Sequence, residues 1–196
     1  MRSFAGLAAI AAFAISGCAA SSGGVASDAP LAVYLSVPLG GPQAEQGKAI
    51  AEAAEKALAD AGGKAGSHPI ELKVLDDTGG TGGWTPVAAA ADARQANEDA
   101  STIAYVGDLD QGASRTSLPI TNLADIAQIV LGPVPGGLDV ANLVDAPSVH
   151  GDDPGRASIE LLLAAIDRAG SGGGDRKKVL DELKTAAANQ AAGFAP

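Results

Sequence analysis

The chain has 196 residues, enough for one ordinary domain with a substantial core, and 46% hydrophobic against 18% charged residues indicates a packed globule rather than a disordered chain. Aromatic residues are only 3%, so that core has to be built from Ala, Val, Leu and Ile. A formal charge of −10 excludes a phosphate-neutralising nucleic-acid surface and electrostatic adhesion to an anionic membrane; solubility accounts for it.

The first element is a targeting segment over residues 1–17. Arg2 supplies one positive charge, and Phe4 to Ile15 is apolar but shorter than the ~20 residues needed to span a bilayer. It ends in Ile15-Ser16-Gly17-Cys18, which resembles the bacterial lipoprotein lipobox. That resemblance implies acylation of Cys18 and a lipid anchor on the extracytoplasmic side of a bacterial cell membrane, facing the periplasm or the cell surface. A plain secretory signal cut after Ala20 is the alternative. Cys18 is the only cysteine, so no internal disulfide can form. Residues 18–29, small and polar, read as a flexible tether.

From residue 30 to 196 the pattern is one α/β lobe. Leu31 to Val37 is a first strand, broken by Pro38-Leu-Gly-Gly-Pro42. A helix follows from about Gln43 to Ala61, with Gly47, Ile50, Ala51, Ala54, Ala57, Leu58 and Ala61 on one face, and Gly62-Gly63 stops it. Ile70 to Leu75 is a second strand, closed by Asp76-Asp77. Thr78 to Gly83 is a Gly-rich loop, and Trp84 to Asn97 a second helix with Pro86 in its first turn. Ile103 to Val106 is a third strand. It ends at Gly107, and a polar loop opens a third helix at Gln111 or Gly112. Ile126 to Leu131 is a fourth strand. Strands alternating with helices imply right-handed βαβ units, hence a three-layer, doubly wound, mainly parallel sheet.

Gly132 to Gly155 breaks this rhythm: it is long and rich in Pro and Gly, with one short apolar piece at Leu138 to Val144. Two C-terminal helices follow. Asp153-Pro154 starts the first and Gly170 ends it; Asp175 caps the last, which runs to about Gln190.

Few side chains here suggest chemistry. Asp76 and Asp77 are adjacent, so on an extended chain they point to opposite faces and read as solvated strand-end charge. His68 and His150 fall in loops without companion ligands, so no metal site is expected. Ser114, Thr116 and Ser117 lie on a helix with no base nearby. Trp84 reads as a packing residue on the second helix. With no triad, metal cluster or cofactor fingerprint, no catalytic residues, no cofactor and no enzyme activity are expected.

The pieces Pro38 to Pro42, Gly47, Ala61-Gly62-Gly63, Ile70-Glu-Leu72 with Asp76-Asp77, Ala93-Arg94, Asp99, Ile103 to Gly107, Gly112-Ala-Ser114, Pro119-Ile120 and Ile126 occur in an order and spacing that resemble type 1 periplasmic binding proteins, specifically the branched-chain amino-acid receptors of ABC transporters. Gly82-Gly83-Trp84 is similar to a subgroup with a Gly-Trp in the second loop. Leu161 to Gly170 and Asp175 to Asp181 look like the helices near the end of these receptors, where the chain returns to the first lobe. The resemblance implies two lobes around a cleft, yet residues 132–155 stand where the second lobe would be inserted. The expectation is therefore a single lobe whose ligand face is an open shelf.

In the family, a Ser and backbone N–H groups after the third strand hold the ligand carboxylate, helped by a hydroxyl-bearing segment after the fourth. Here those positions are Gln111 and Val130 to Val134, without hydroxyls, while Asp108 and Asp110 add negative charge. The loop is thus poorer for a carboxylate and better for a cation or polyol. The resemblance implies a solute site using backbone donors at Gln111, Gly112 and Ala113, Asp110 as acceptor, Gly132 for close approach and Gln46 as a first-loop contact. It also implies a small polar, amino-acid-type solute, an ABC permease or envelope protein as partner, and no nucleic acid. The alternatives are a non-transporting envelope interaction or homodimerisation module, or a degenerate receptor remnant.

Overall fold

The computed structural model describes residues 29–79, 82–138 and 140–193. The signal segment, Cys18 and all of the tether but Ala29 lie outside the described residues. In chain order the elements are β1 (Leu31–Val37), α1 (Ala44–Asp60), β2 (Lys64–Ala65), β3 (His68–Asp76), α2 (Pro86–Glu98), β4 (Thr102–Val106), α3 (Gln111–Asn122), β5 (Ala127–Ile129), β6 (Leu143–Val144), α4 (Pro154–Ala169) and α5 (Arg176–Ala191).

Every residue of β1 is buried. An unbroken apolar run of this kind suits a central parallel strand covered on both faces, and β1 pairs in parallel with β3 on one side and β4 on the other. The full order is β2-β3-β1-β4-β5-β6, parallel except for the short β2–β3 hairpin. The alternation along β1 sorts the layers. Leu31, Val33, Leu35 and Val37 join Ile50 and Ala54 of α1, Ile159, Leu162 and Ile166 of α4, and Val179 and Leu183 of α5 in the main core. Ala32 and Tyr34 join Tyr105, Ile126 and the α2 residues Ala93 and Ala96 in a smaller one. Helices α1, α4 and α5 thus form one layer, and α2 packed on α3 the other. This is the doubly wound, mainly parallel α/β lobe with two C-terminal helices that the sequence leads one to expect.

The helix starts follow their caps. Asp153 accepts from the Arg156 N–H at 3.1 Å, and Asp175 from the N–H groups of Lys177 and Lys178 at 3.0 and 3.2 Å. Three placements differ from expectation. His68 is not in a loop: it opens β3, is buried, and its Nδ1 lies 3.0 Å from the Ala29 carbonyl, because the chain turns back at Gly66 (φ +54°) and Ser67 and pairs His68 with Ala65 of β2. Trp84 precedes α2, which begins at Pro86 under a Thr85 cap. Residues 132–155 are not all loop. Leu143 and Val144 pair with β5 as a further parallel strand, and Val144, Ala146 and Val149 enter the main core. Two residues are too few to show a period, so only the free sheet edge beside them reveals the strand.

Candidate functional site

The chain leaves β1 towards β3, then crosses back to β4 on β1's other side. The strand order therefore reverses between β1 and β4, and the crevice at their carboxyl ends is where open α/β sheets take ligands. The loops that follow β1 and β4, residues 38–43 and 107–110, leave the sheet there.

The first turn of α3 forms the wall of this edge. Asp110 caps it, its carboxylate accepting from the Gly112 N–H at 2.7 Å. The Gln111 Nε2 donates to the Val134 carbonyl at 3.0 Å, and Arg115 to the Gly136 carbonyl at 3.0 Å, so α3 is tied to the loop after β5. The Gly132 N–H donates to the Asp108 carbonyl at 2.9 Å, and a side chain at Gly132 would run into the Leu109 carbonyl. Residues Asp110, Gln111, Gly112, Ala113 and Gly132 therefore come together.

Gln46 does not join them. It is exposed on α1 and lines a groove of about 410 Å³ with Ala49, Ile50, Ala53 and the turn 151–154, which shares no residue with the α3 loop. Gly112 is also less available than expected, since its N–H is already taken by Asp110. An anion arriving at this helix end would meet that carboxylate. Trp84 packs here rather than on α2: its indole lies 2.5–2.6 Å from where a Gly112 Cβ would stand.

Beneath the shelf lies a buried polar layer. Asp108, read from the sequence as negative charge in the ligand loop together with Asp110, is fully buried. Its carboxylate accepts from Ser117 Oγ at 2.6 Å and from the Tyr105 hydroxyl at 3.1 Å. Gln128 donates to Ser117 Oγ at 2.7 Å, Thr121 donates to Gln128 Oε1 at 2.8 Å, and Asn142 donates to Thr121 at 2.7 Å. On the neighbouring strand, Ser36 donates to Asp92 at 2.7 Å. Burial pushes the Asp108 carboxyl up to about 7 against the lowering effect of the Ser117 and Tyr105 hydrogen bonds. Burial likewise raises Asp92, opposed by Ser36.

Asp76 ends β3 and Asp77 opens the turn after it, and the two have unequal surroundings. Asp76 accepts from the Leu39 N–H at 3.0 Å and from the Thr78 hydroxyl at 2.7 Å, tying the end of β3 to the loop after β1. Asp77 is not solvated: it is 1% exposed, and neither of its carboxylate oxygens has a hydrogen-bond partner among the described residues. Burial first, and then repulsion from Asp108, Asp92, Asp76 and Asp110, pushes its carboxyl up to about 7. The sequence signal for this layer is the small polar stripe Ser114, Ser117 and Thr121 on one face of α3, which pointed inward and needed partners.

Ser117 has a carboxylate beside it but no imidazole: His68 contacts the Ala29 carbonyl, and His150 pairs with Asp145 at 2.7 Å. Among the described residues no group of three His, Cys, Asp or Glu could hold a metal ion, and no helix is long and apolar enough to cross a membrane.

No protein-family model matches the sequence, and no curated protein does. Solved structures do match. An extracellular ligand-binding receptor from Rhodopseudomonas palustris is 28% identical with a TM-score of 0.52, over 61% of this chain and 31% of its own. The branched-chain amino-acid transporter substrate-binding protein LivJ from Streptococcus pneumoniae, solved with isoleucine, is 19% identical with a TM-score of 0.51, over 59% and 33%. An ABC transporter substrate-binding protein from Sphaerobacter thermophilus is 19% identical with a TM-score of 0.51, over 81% and 45%.

The chain thus has the fold of a type 1 periplasmic-binding-protein lobe, and the matches span less than half the length of these neighbours. They are receptors and substrate-binding proteins rather than enzymes, in keeping with the non-enzymatic reading of the sequence.

Proposed function

We propose that this chain is an extracytoplasmic solute-binding lobe, anchored to the membrane through a lipid on Cys18, that presents a small polar solute to an ABC permease. The observation that carries the reading is the shelf at the carboxyl ends of β1 and β4. There the first turn of α3, the Gly132 backbone and the loop after β5 are drawn together, in a fold shared with substrate-binding proteins. Backbone N–H groups of Gln111 and Ala113 in that first turn are the donors, Asp110 an acceptor, and Gly132 admits close approach. Because Asp110 already caps the helix, the solute is one that tolerates a carboxylate beside it: a cation, an amide or a polyol rather than a bare carboxylate. Gln46, on a separate groove, is not assigned a contact.

Isothermal titration of the full chain in detergent against amino acids, amides and polyols tests the reading. Heat that saturates with one of these classes is expected; no heat from any of them refutes it.

A further inference from the structure

Five carboxylates gather around the carboxyl ends of β3 and β4, and four of them have donors. Asp76 has the Leu39 N–H and Thr78, Asp92 has Ser36, Asp108 has Ser117 and Tyr105, and Asp110 has the Gly112 N–H. Among the described residues Asp77 has none, although it is 1% exposed. The largest charge effects on it are repulsions from those four carboxylates. An ionised carboxylate buried without a donor is disfavoured, so the neutral form of Asp77 is favoured until something brings it N–H donors and positive charge.

The described residues do not converge as a metal site. A calcium or magnesium ion takes about six or more oxygen ligands, whereas an ammonium can pair with a single carboxylate, since it brings only donors. Aromatic surface adjoins the place. The Asp77 carbonyl accepts from the Thr85 N–H at 2.8 Å, and the preceding residue, Trp84, lays its indole on Gly112 of α3, next to the Asp110 cap.

We propose that Asp77 is the receptor for a cationic amine on the solute, the ammonium taking the two free carboxylate oxygens. This rests on the solute-binding reading above and specifies the chemistry of the same edge of the sheet. Charge balance follows directly: the neutral carboxyl releases its proton to solvent as the ammonium, already charged, arrives, and no covalent bond to carbon changes.

The test is isothermal titration of the full chain in detergent at pH 7. The probes are butylamine and leucine amide, with butanol as the neutral control, each measured in phosphate and in Tris, whose ionisation heats differ. The amines are expected to bind with a heat that depends on the buffer by an amount approaching half a released proton, because a carboxyl pushed up to about 7 is half protonated at pH 7. Asp77→Asn is expected to weaken them at least tenfold. Amine binding without buffer dependence, or with unchanged affinity in Asp77→Asn, overturns the assignment. So does binding by neutral compounds alone, which would leave the solute-binding reading standing. No heat from these probes or from the wider solute classes overturns both. The buffer comparison uses the unaltered chain and stands whether or not the variant folds.

Discussion

Replacing Asp77 by Asn should stabilise the lobe at alkaline pH and leave it nearly unchanged in mild acid. The carboxyl titrates near the ordinary carboxylate value in the unfolded chain and at about 7 in the folded one. Folded protein therefore binds more protons than unfolded protein between about pH 4 and 7, so stability falls as pH rises through that window. The contribution is fully present below the unfolded value and lost above the folded one. A shift of about three units corresponds to about 4 kcal/mol, at about 1.4 kcal/mol per unit. That is an upper figure, because Asp77 and Asp108 repel each other and the loss is shared between them. An amide of the same shape cannot ionise, so Asp77→Asn should gain about 2–4 kcal/mol at pH 8 and little at pH 5. Carboxylates that favour the ionised form, such as Asp76 with its Thr78 and Leu39 donors, lose that stabilisation only below this range, and their contribution cancels between the two proteins. Urea unfolding of both proteins from pH 5 to 8.5 checks this. Parallel stability curves, or a variant less stable than the parent at pH 8, would refute the argument that an unpartnered buried carboxylate sits at this position.

Four further outcomes follow from the packing. Gly112→Ala places a methyl group against the indole of Trp84 and should cost about 1–3 kcal/mol; as the only Trp, it reports its displacement by a red-shifted emission. Arg176→Ala removes hydrogen bonds to the carbonyls of Thr102, Asp99 and Ala124, which tie the start of α5 to the lower ends of the sheet and α3, and should lower stability by about 2–3 kcal/mol in urea melts. Leu162→Ala opens a cavity where α4 meets the sheet and should cost about 2–5 kcal/mol, read by thermal unfolding. Cys18→Ser should move the chain from the membrane fraction to the soluble fraction, as fractionation after metabolic labelling with a fatty acid would show.

The elements with long apolar patterns were legible before any coordinates. Leu31 to Val37 reads as a central strand because all seven residues suit burial on both faces, and α4 reads from Ile159, Leu162 and Ile166 with caps at both ends. What escaped reading was decided by neighbours distant in sequence. Leu143 and Val144 become a strand because β5 leaves an unpaired edge beside them. His68 becomes a strand residue because a glycine turn folds β2 back on β3. Asp110, Gln111, Gly112, Ala113 and Gly132 lie in one neighbourhood because they belong to two adjacent strand-end loops. Gln46 lies on a separate groove, because its place on α1 is set by how that helix packs against α4.

The acidic residues show most clearly what sequence cannot encode locally. Asp76, Asp77, Asp92, Asp108 and Asp110 are chemically identical, and each was legible only as a charge near a strand end or on a helix. The fold gives Asp110 a helix end to cap, Asp108 a pair of hydroxyls, Asp92 a serine on β1 and Asp76 a loop to anchor. Each of these assignments commits a carboxylate to a partner within the lobe, wholly or, as at Asp110, in part. The remaining one, Asp77, is distinguished by having received no donor among the described residues. A buried acid in that condition persists either as a neutral group that destabilises the lobe whenever it ionises or as half of an ion pair whose other half comes from outside. The two differ in one observable: a structural liability is relieved by Asn with binding intact, whereas a receptor loses its amine.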